Sequence, residues 1–148
     1  MNCNEQKVDI LLVEDDLGHA KLIQKNLKRA NIRNNIIHLS DGQEALDFFF
    51  NNDDDCKSEK ALLILLDLNL PKVSGYEVLT KLKESEQTRN IPVVMLTTTS
   101  DDTEIKKCYD MGCNVFVTKP IDYENFAKAI ERLGLFLSVV QIPSMRNL

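Results

Sequence analysis

Four positions in this chain pair a chemically able side chain with the end of an apolar run. Glu14-Asp15-Asp16 follows Val8–Val13, Asp67 closes Ala61-Leu62-Leu63-Ile64-Leu65-Leu66, Thr97 follows Val93–Leu96, and Lys119 stands just beyond Val115–Val117. An apolar run of this kind, bounded by polar residues and Pro71, reads as a strand covered on both faces, which implies a parallel sheet. Ligands of such sheets bind beyond the carboxyl ends of the strands. A single Asp there reads as a solvated loop residue, but parallel strands would bring all four positions to one edge. The residue types then suit phosphoryl transfer. Crowded carboxylates repel one another unless a divalent cation intervenes, and oxygen donors without His or Cys favour Mg²⁺. An Asp67 oxygen can attack phosphorus, and the charge spread over the phosphoryl oxygens can be met by the cation, the Lys119 ammonium and the Thr97 hydroxyl. The product would be an aspartyl phosphate on Asp67.

The elements that must position these groups alternate along the chain. The runs Val8–Val13, Ile36–Leu39, Leu62–Leu66, Val93–Leu96 and Val115–Val117 read as five short strands, each followed by a segment with helical spacing, a (βα)5 pattern of the α/β class. Ser40 with Gln43, Ser74 with Glu77 and Asp101 with Glu104 have the offset of a capping box or a close analogue and mark helix starts. Ala20, Ile23, Leu27 and Ala30 form one apolar stripe and Phe126, Ala127, Ile130 and Leu133 another, as helices packed on a sheet require. The acidic stretch Asn51 to Glu59 lacks the Gly and Glu spacing of a calcium loop and reads as a solvated connection.

Composition narrows the classes. With 148 residues, 43% of them hydrophobic, the chain suits one core and is too short for two ordinary domains. A net charge of −5 supplies no basic field for nucleic acid, so direct DNA binding is not expected. The polar start Met1 to Lys7 has no signal-peptide core and no apolar stretch approaches a membrane span, which predicts a cytoplasmic protein without membrane insertion. Cys3, Cys56, Cys108 and Cys113 have no paired CxxC arrangement and are expected as reduced thiols, while His19 and His38 lack a ligand constellation.

In order and spacing, Glu14-Asp15, Asp67-Leu68-Asn69-Leu70-Pro71 with Gly75, Thr97 and Lys119-Pro120 make the chain similar to the receiver domains of two-component response regulators. The resemblance runs from residue 8 to about 134, with 135–148 as a C-terminal extension of a single domain, 1–148, and no effector domain. It implies a doubly wound, flavodoxin-like sheet of order 2-1-3-4-5 and phosphate capture from a histidine kinase or a phosphotransfer protein. It also implies Mg²⁺ held by Asp15, Asp67 and the Asn69 carbonyl, with Glu14 acting through coordinated water and Asp16 at a variable position. Thr97 and Phe116 would be the switch pair, the Lys119-Pro120 peptide would be cis, and Asn69 and Thr99 would assist self-dephosphorylation. Enzymatic chemistry would be confined to the chain's own phosphorylation and dephosphorylation.

Within the family, four segments resemble the stand-alone regulators associated with phytochrome-like and other hybrid sensor kinases. They are Leu17-Gly18-His19-Ala20-Lys21-Leu22-Ile23, the acidic loop, Leu96-Thr97-Thr98-Thr99-Ser100 and Leu135-Phe136-Leu137-Ser138-Val139-Val140. Output would then pass through protein contact, phosphate relay or competition for a kinase. Six of the eight residues from Leu135 to Ile142 are apolar, which predicts a homodimer through helix five and the tail, against a tail folded back on its own domain. Other readings fit less well. A haloacid-dehalogenase-type phosphatase needs a second Asp where Asn69 stands, and a flavodoxin-like binding module would place its phosphate against three acids. A degenerate receiver acting as a phosphorylation-independent interaction protein should have lost Asp15, Asp67, Thr97 or Lys119, and all four are present.

Overall fold

The computed structural model describes residues 8–29, 32–50, 61–98 and 101–118. In chain order these form β1 (Val8–Val13), α1 (Leu17–Arg29), β2 (Ile36–Leu39), α2 (Gly42–Phe50), β3 (Ala61–Asp67), α3 (Gly75–Glu84), β4 (Val93–Thr97), α4 (Asp102–Asp110) and β5 (Val115–Thr118). All strand pairings are parallel and the sheet order is β2-β1-β3-β4-β5, as the resemblance implied. A fifth helix, its stripe at 126–133 and the apolar tail lie outside the described residues, as does Ala30 of the first stripe.

Because successive strand side chains point to opposite faces, the continuous apolar runs feed two cores. Ile10, Leu12, Leu63, Leu65, Val94 and Leu96 face α1, where Ala20, Ile23 and Leu27 meet them. Leu11, Val13, Ile64, Leu66, Val93 and Met95 face the opposite side and pack on Ala45 and Phe49 of α2, Val78, Leu79 and Leu82 of α3, and Cys108 of α4. Only a sheet covered on both faces uses every position of such runs, so the runs themselves dictate the double winding. α1 also buries Asn26, an amide whose nitrogen and oxygen both lack a hydrogen-bond partner among the described residues.

The helix starts follow their caps. Ser74 Oγ accepts from the Glu77 N–H at the head of α3, and Asp101 Oδ1 accepts from the Thr103 N–H at the head of α4. The α2 start differs by one residue from the expected Ser40 and Gln43 pair. Asp41 is the cap, accepting from the Glu44 N–H at 2.8 Å, while Glu44 accepts from the Ser40 N–H at 2.6 Å. An Asp acceptor with Glu three residues on satisfies two orphan N–H groups with charged acceptors, which Ser with Gln cannot match.

Side chains also hold the approach to β4. Thr88 Oγ1 donates to the Leu82 carbonyl at 2.6 Å, and Lys83 Nζ donates to the carbonyls of Arg89 and Ile91. Burial of Lys83 pulls its pKa below the ordinary lysine value. Cys108 and Cys113 are free thiols packed in the core. Burial pushes Cys113 up to about 11 and raises Cys108 as well, so both are protonated near neutrality, as a packing role requires. Cys3 and Cys56 lie outside the described residues. Among the described residues no helix is long and apolar enough to cross a membrane.

Candidate functional site

Parallel pairing brings the carboxyl ends of β1, β3 and β4 to one edge. Val13 is in register with Leu66, so Glu14 stands level with Asp67, and Asp67 in turn pairs with Leu96, one residue before Thr97. Asp67 and Thr97 are the last residues of their strands rather than the first residues beyond them, which carries strand rigidity up to the functional atoms. Glu14, Asp67 and Thr97 are buried, and Asp15 is exposed.

One oxygen each from Glu14, Asp15 and Asp67 lies within 4.8 Å of the others. Three like charges at this separation repel strongly, and the donors are all carboxylate oxygens, with no imidazole or thiolate among them. Such a set fits a small hard divalent cation, and the exposure of Asp15 leaves a side on which coordinated water can remain. Glu14 is held from its backbone, since its N–H donates to the Leu39 carbonyl and its own carbonyl accepts from His38 Nε2 at 2.8 Å. The neighbouring Asp16 takes a different part. Its Oδ1 accepts from the His19 N–H and its carbonyl from the Ala20 N–H, so it caps α1.

Asn69 ties the pocket together. Its N–H donates to Asp67 Oδ1 at 3.0 Å, and its amide Nδ2 lies 3.4 Å from Thr97 Oγ1, in position to donate. Phe116 is half-buried on β5, in register with Met95, and packs against the core beneath α4. Lys119, the Lys119-Pro120 peptide and Thr99 lie outside the described residues.

The loop from Asp67 to Ser74 is held by contacts that residue type alone did not announce. The Val73 N–H donates to the Pro71 carbonyl across Lys72, whose φ of 68° lies in the left-handed region. Lys72 Nζ reaches Asp41 at 3.4 Å, tying the loop to the start of α2. The Asp41 carboxyl is held below its ordinary range, first by the Glu44 N–H and then, against some desolvation, by Lys72. Backbone packing adds to the tie, since Gly42 lies against Val73 and Gly75 against Asp67 and Leu68 so closely that neither position has room for a Cβ.

Comparison with known proteins agrees with the sheet order and the fold. The profile of the response regulator receiver domain matches residues 10–131. A receiver domain from Rhodospirillum rubrum, known from a crystal structure, is 52% identical, with a TM-score of 0.87 over 92% of this chain and 97% of that one. The response regulator Rcp1 of a Synechocystis strain is 37% identical over 142 residues, 95% of this chain and 96% of its own length. A crystal structure of its Mn²⁺-bound form superposes with a TM-score of 0.81 over 93% of this chain and 99% of that one. The phosphorylated cyanobacterial phytochrome response regulator RcpA is 33% identical, with a TM-score of 0.84 over 94% of this chain and 99% of that one.

Proposed function

Since the chain belongs to the response regulator receiver domain family of two-component signalling, we propose that Asp67 is its phosphoacceptor and that Glu14, Asp15, Asp67 and the Asn69 carbonyl hold Mg²⁺ beside it. The observation that carries this reading is the meeting of three carboxylate oxygens within 4.8 Å at the end of β3, with Asn69 joining Asp67 to Thr97. A histidine kinase or phosphotransfer protein is the donor. An Asp67 oxygen forms the new O–P bond as the histidine N–P bond breaks, and the imidazole nitrogen keeps the electron pair. Later, water attacks the phosphorus and the O–P bond breaks, which returns the carboxylate and releases phosphate. When bound, Mg²⁺ supplies positive charge that offsets carboxylate repulsion and the negative oxygens of the incoming group. The Asn69 N–H fixes the Asp67 rotamer, while the Thr97 hydroxyl and the Lys119 ammonium meet the phosphoryl oxygens.

Charge relief at the metal set provides the test. Glu14→Gln with Asp15→Asn should weaken Mg²⁺ binding at least ten-fold, about 1.4 kcal/mol, in calorimetric titration, and should shift the Mg²⁺ dependence of labelling by acetyl phosphate equally. Unchanged Mg²⁺ affinity would sink the assignment.

Phosphorylation draws Thr97 toward the phosphoryl group and lets Phe116 turn inward, which reshapes the surface of α4 and β5 and provides output through protein contact. The crystallised relative RcpA is described as a phytochrome response regulator, which favours a phytochrome-like or hybrid sensor kinase as the input. The cytoplasm is the compartment where such a kinase presents its phosphohistidine. A homodimer through the apolar residues after Gly134 belongs to the same proposal and rests on their composition. Light scattering should give a dimer for the full chain and a monomer for a chain ending at Gly134, and a monomeric full chain in both phosphorylation states would reject it.

A further inference from the structure

Among the described residues the sheet order leaves one side of β5 without a strand, yet the outward amide at its centre is occupied. Ile64 and Leu68 N–H groups donate to the Pro92 and Leu96 carbonyls, so even-numbered β4 residues turn their backbone toward β3 and odd-numbered ones toward β5. In a parallel pair only one member of a registered couple turns its polar groups to the other strand. Met95 faces β5, so its partner Phe116 directs its N–H to the open edge. There the Phe116 N–H donates to the hydroxyl of Tyr109 at 3.2 Å.

Tyr109 comes from the last turn of α4 and is about half exposed, with 48% of its surface open to solvent. Its backbone is fixed as well, since its carbonyl accepts from the Gly112 N–H and from the Met111 N–H in the turn that ends the helix. The ring is therefore a strut, anchored to α4 at one end and to the backbone of β5 at the other. On its far side α4 is tied to α3 by Tyr76, whose hydroxyl lies 3.5 Å from the Glu104 carbonyl, and by Lys107, which sits 4.4 Å over the Tyr76 ring. Beneath it, Phe116 is held at its backbone by neighbours that pair with β4 and by Tyr109, so that its side-chain torsions are the freedom left to it.

We propose that Tyr109 is a positioning residue of the switch: its hydroxyl holds the pivot about which Phe116 turns and couples that turn to the C-terminal half of α4. The inference rests on the reading of Phe116 as a switch residue. Tyr109→Phe keeps the ring and removes only the acceptor, at a half-exposed position where the variant folds. It leaves Asp67, the metal oxygens and Thr97 untouched, so labelling by acetyl phosphate should stay within about two-fold of wild type. Amide exchange at Phe116 should quicken by about ten-fold, because its N–H loses its protein acceptor.

The decisive measurement is ¹⁵N NMR with Mg²⁺ and beryllofluoride as the phosphate mimic. In wild type, activation should shift Thr97, Phe116 and Asp102 to Asp110 together. In Tyr109→Phe the shifts at Thr97 and Phe116 should persist while those of α4 fall to roughly half or less. A variant whose α4 responds like wild type overturns the coupling alone. A wild type whose Phe116 does not respond overturns the switch reading beneath it, and the two failures are distinct in the same spectra.

Discussion

Asp67→Asn should eliminate phosphoryl incorporation while leaving the fold as stable as wild type or more so. Asn has nearly the size of Asp and its oxygen can still accept from the Asn69 N–H, so the end of β3 keeps its local hydrogen bond. What disappears is the carboxylate oxygen proposed as the nucleophile. The expected loss is at least a thousand-fold in labelling rate, about 4 kcal/mol of barrier, and no hydroxylamine-labile adduct should be visible by intact-mass spectrometry with acetyl phosphate and Mg²⁺. Removing one of three carboxylates that meet within 4.8 Å also relieves repulsion. In metal-free buffer the variant should therefore unfold at or above the wild-type temperature. Equal labelling of the variant would move the nucleophile to Glu14 or Asp15, the other members of the carboxylate set among the described residues.

Much of this site was legible because its signals are one-dimensional. Apolar runs such as that of residues 61–66 specify strands covered on two faces, and a charged or hydroxyl residue at the end of each run needs only parallel topology to become a neighbour of the others. Glu14, Asp15 and Asp67 meet for that reason, and Thr97 stands beside them through Asn69. The features that escaped sequence reading depend on contacts between distant residues or on competition between adjacent caps. Asp16 reads as one more acid in a triplet, yet its position before the α1 stripe makes it that helix's cap. Without Glu at the third helical position there is no capping box to announce it. Asp41 and Ser40 are both good caps, and the choice falls to the residue with a Glu three positions later. Asn26 hides on a buried face because periodicity marks the apolar members of a stripe and not a polar residue between them. Tyr109 gives no local sign at all that its hydroxyl reaches Phe116.

The glycines at the helix starts carry the second large effect. A Cβ on Gly42 would stand 1.9 Å from the Val73 carbonyl oxygen, and one on Gly75 would stand 2.3 Å from the Asp67 carbonyl oxygen and 2.7 Å from the Leu68 Cα. The opposing atoms are backbone, so no rotamer change relieves the overlap, and the helix start and the loop bearing Asp67 and Asn69 must separate. Gly42→Ala and Gly75→Ala should each cost about 3 kcal/mol, roughly 10 °C in Tm for a domain of this size. Gly18 provides the contrast. It also lies in the first turn of a helix, but its added Cβ would meet only the Asp16 Oδ1 at 3.2 Å, a capping side-chain atom that needs to shift by only a few tenths of an ångström, and no backbone. Gly18→Ala also gains up to about 1 kcal/mol of helix propensity, so its Tm should stay near or above wild type. Gly75→Ala should in addition slow Asp67 labelling by an order of magnitude or more, because a shift of about 1 Å in a reacting group costs on the order of 100-fold. If thermal melts place Gly75→Ala beside Gly18→Ala, the close packing of α3 on the end of β3 is not what holds Asp67 in place.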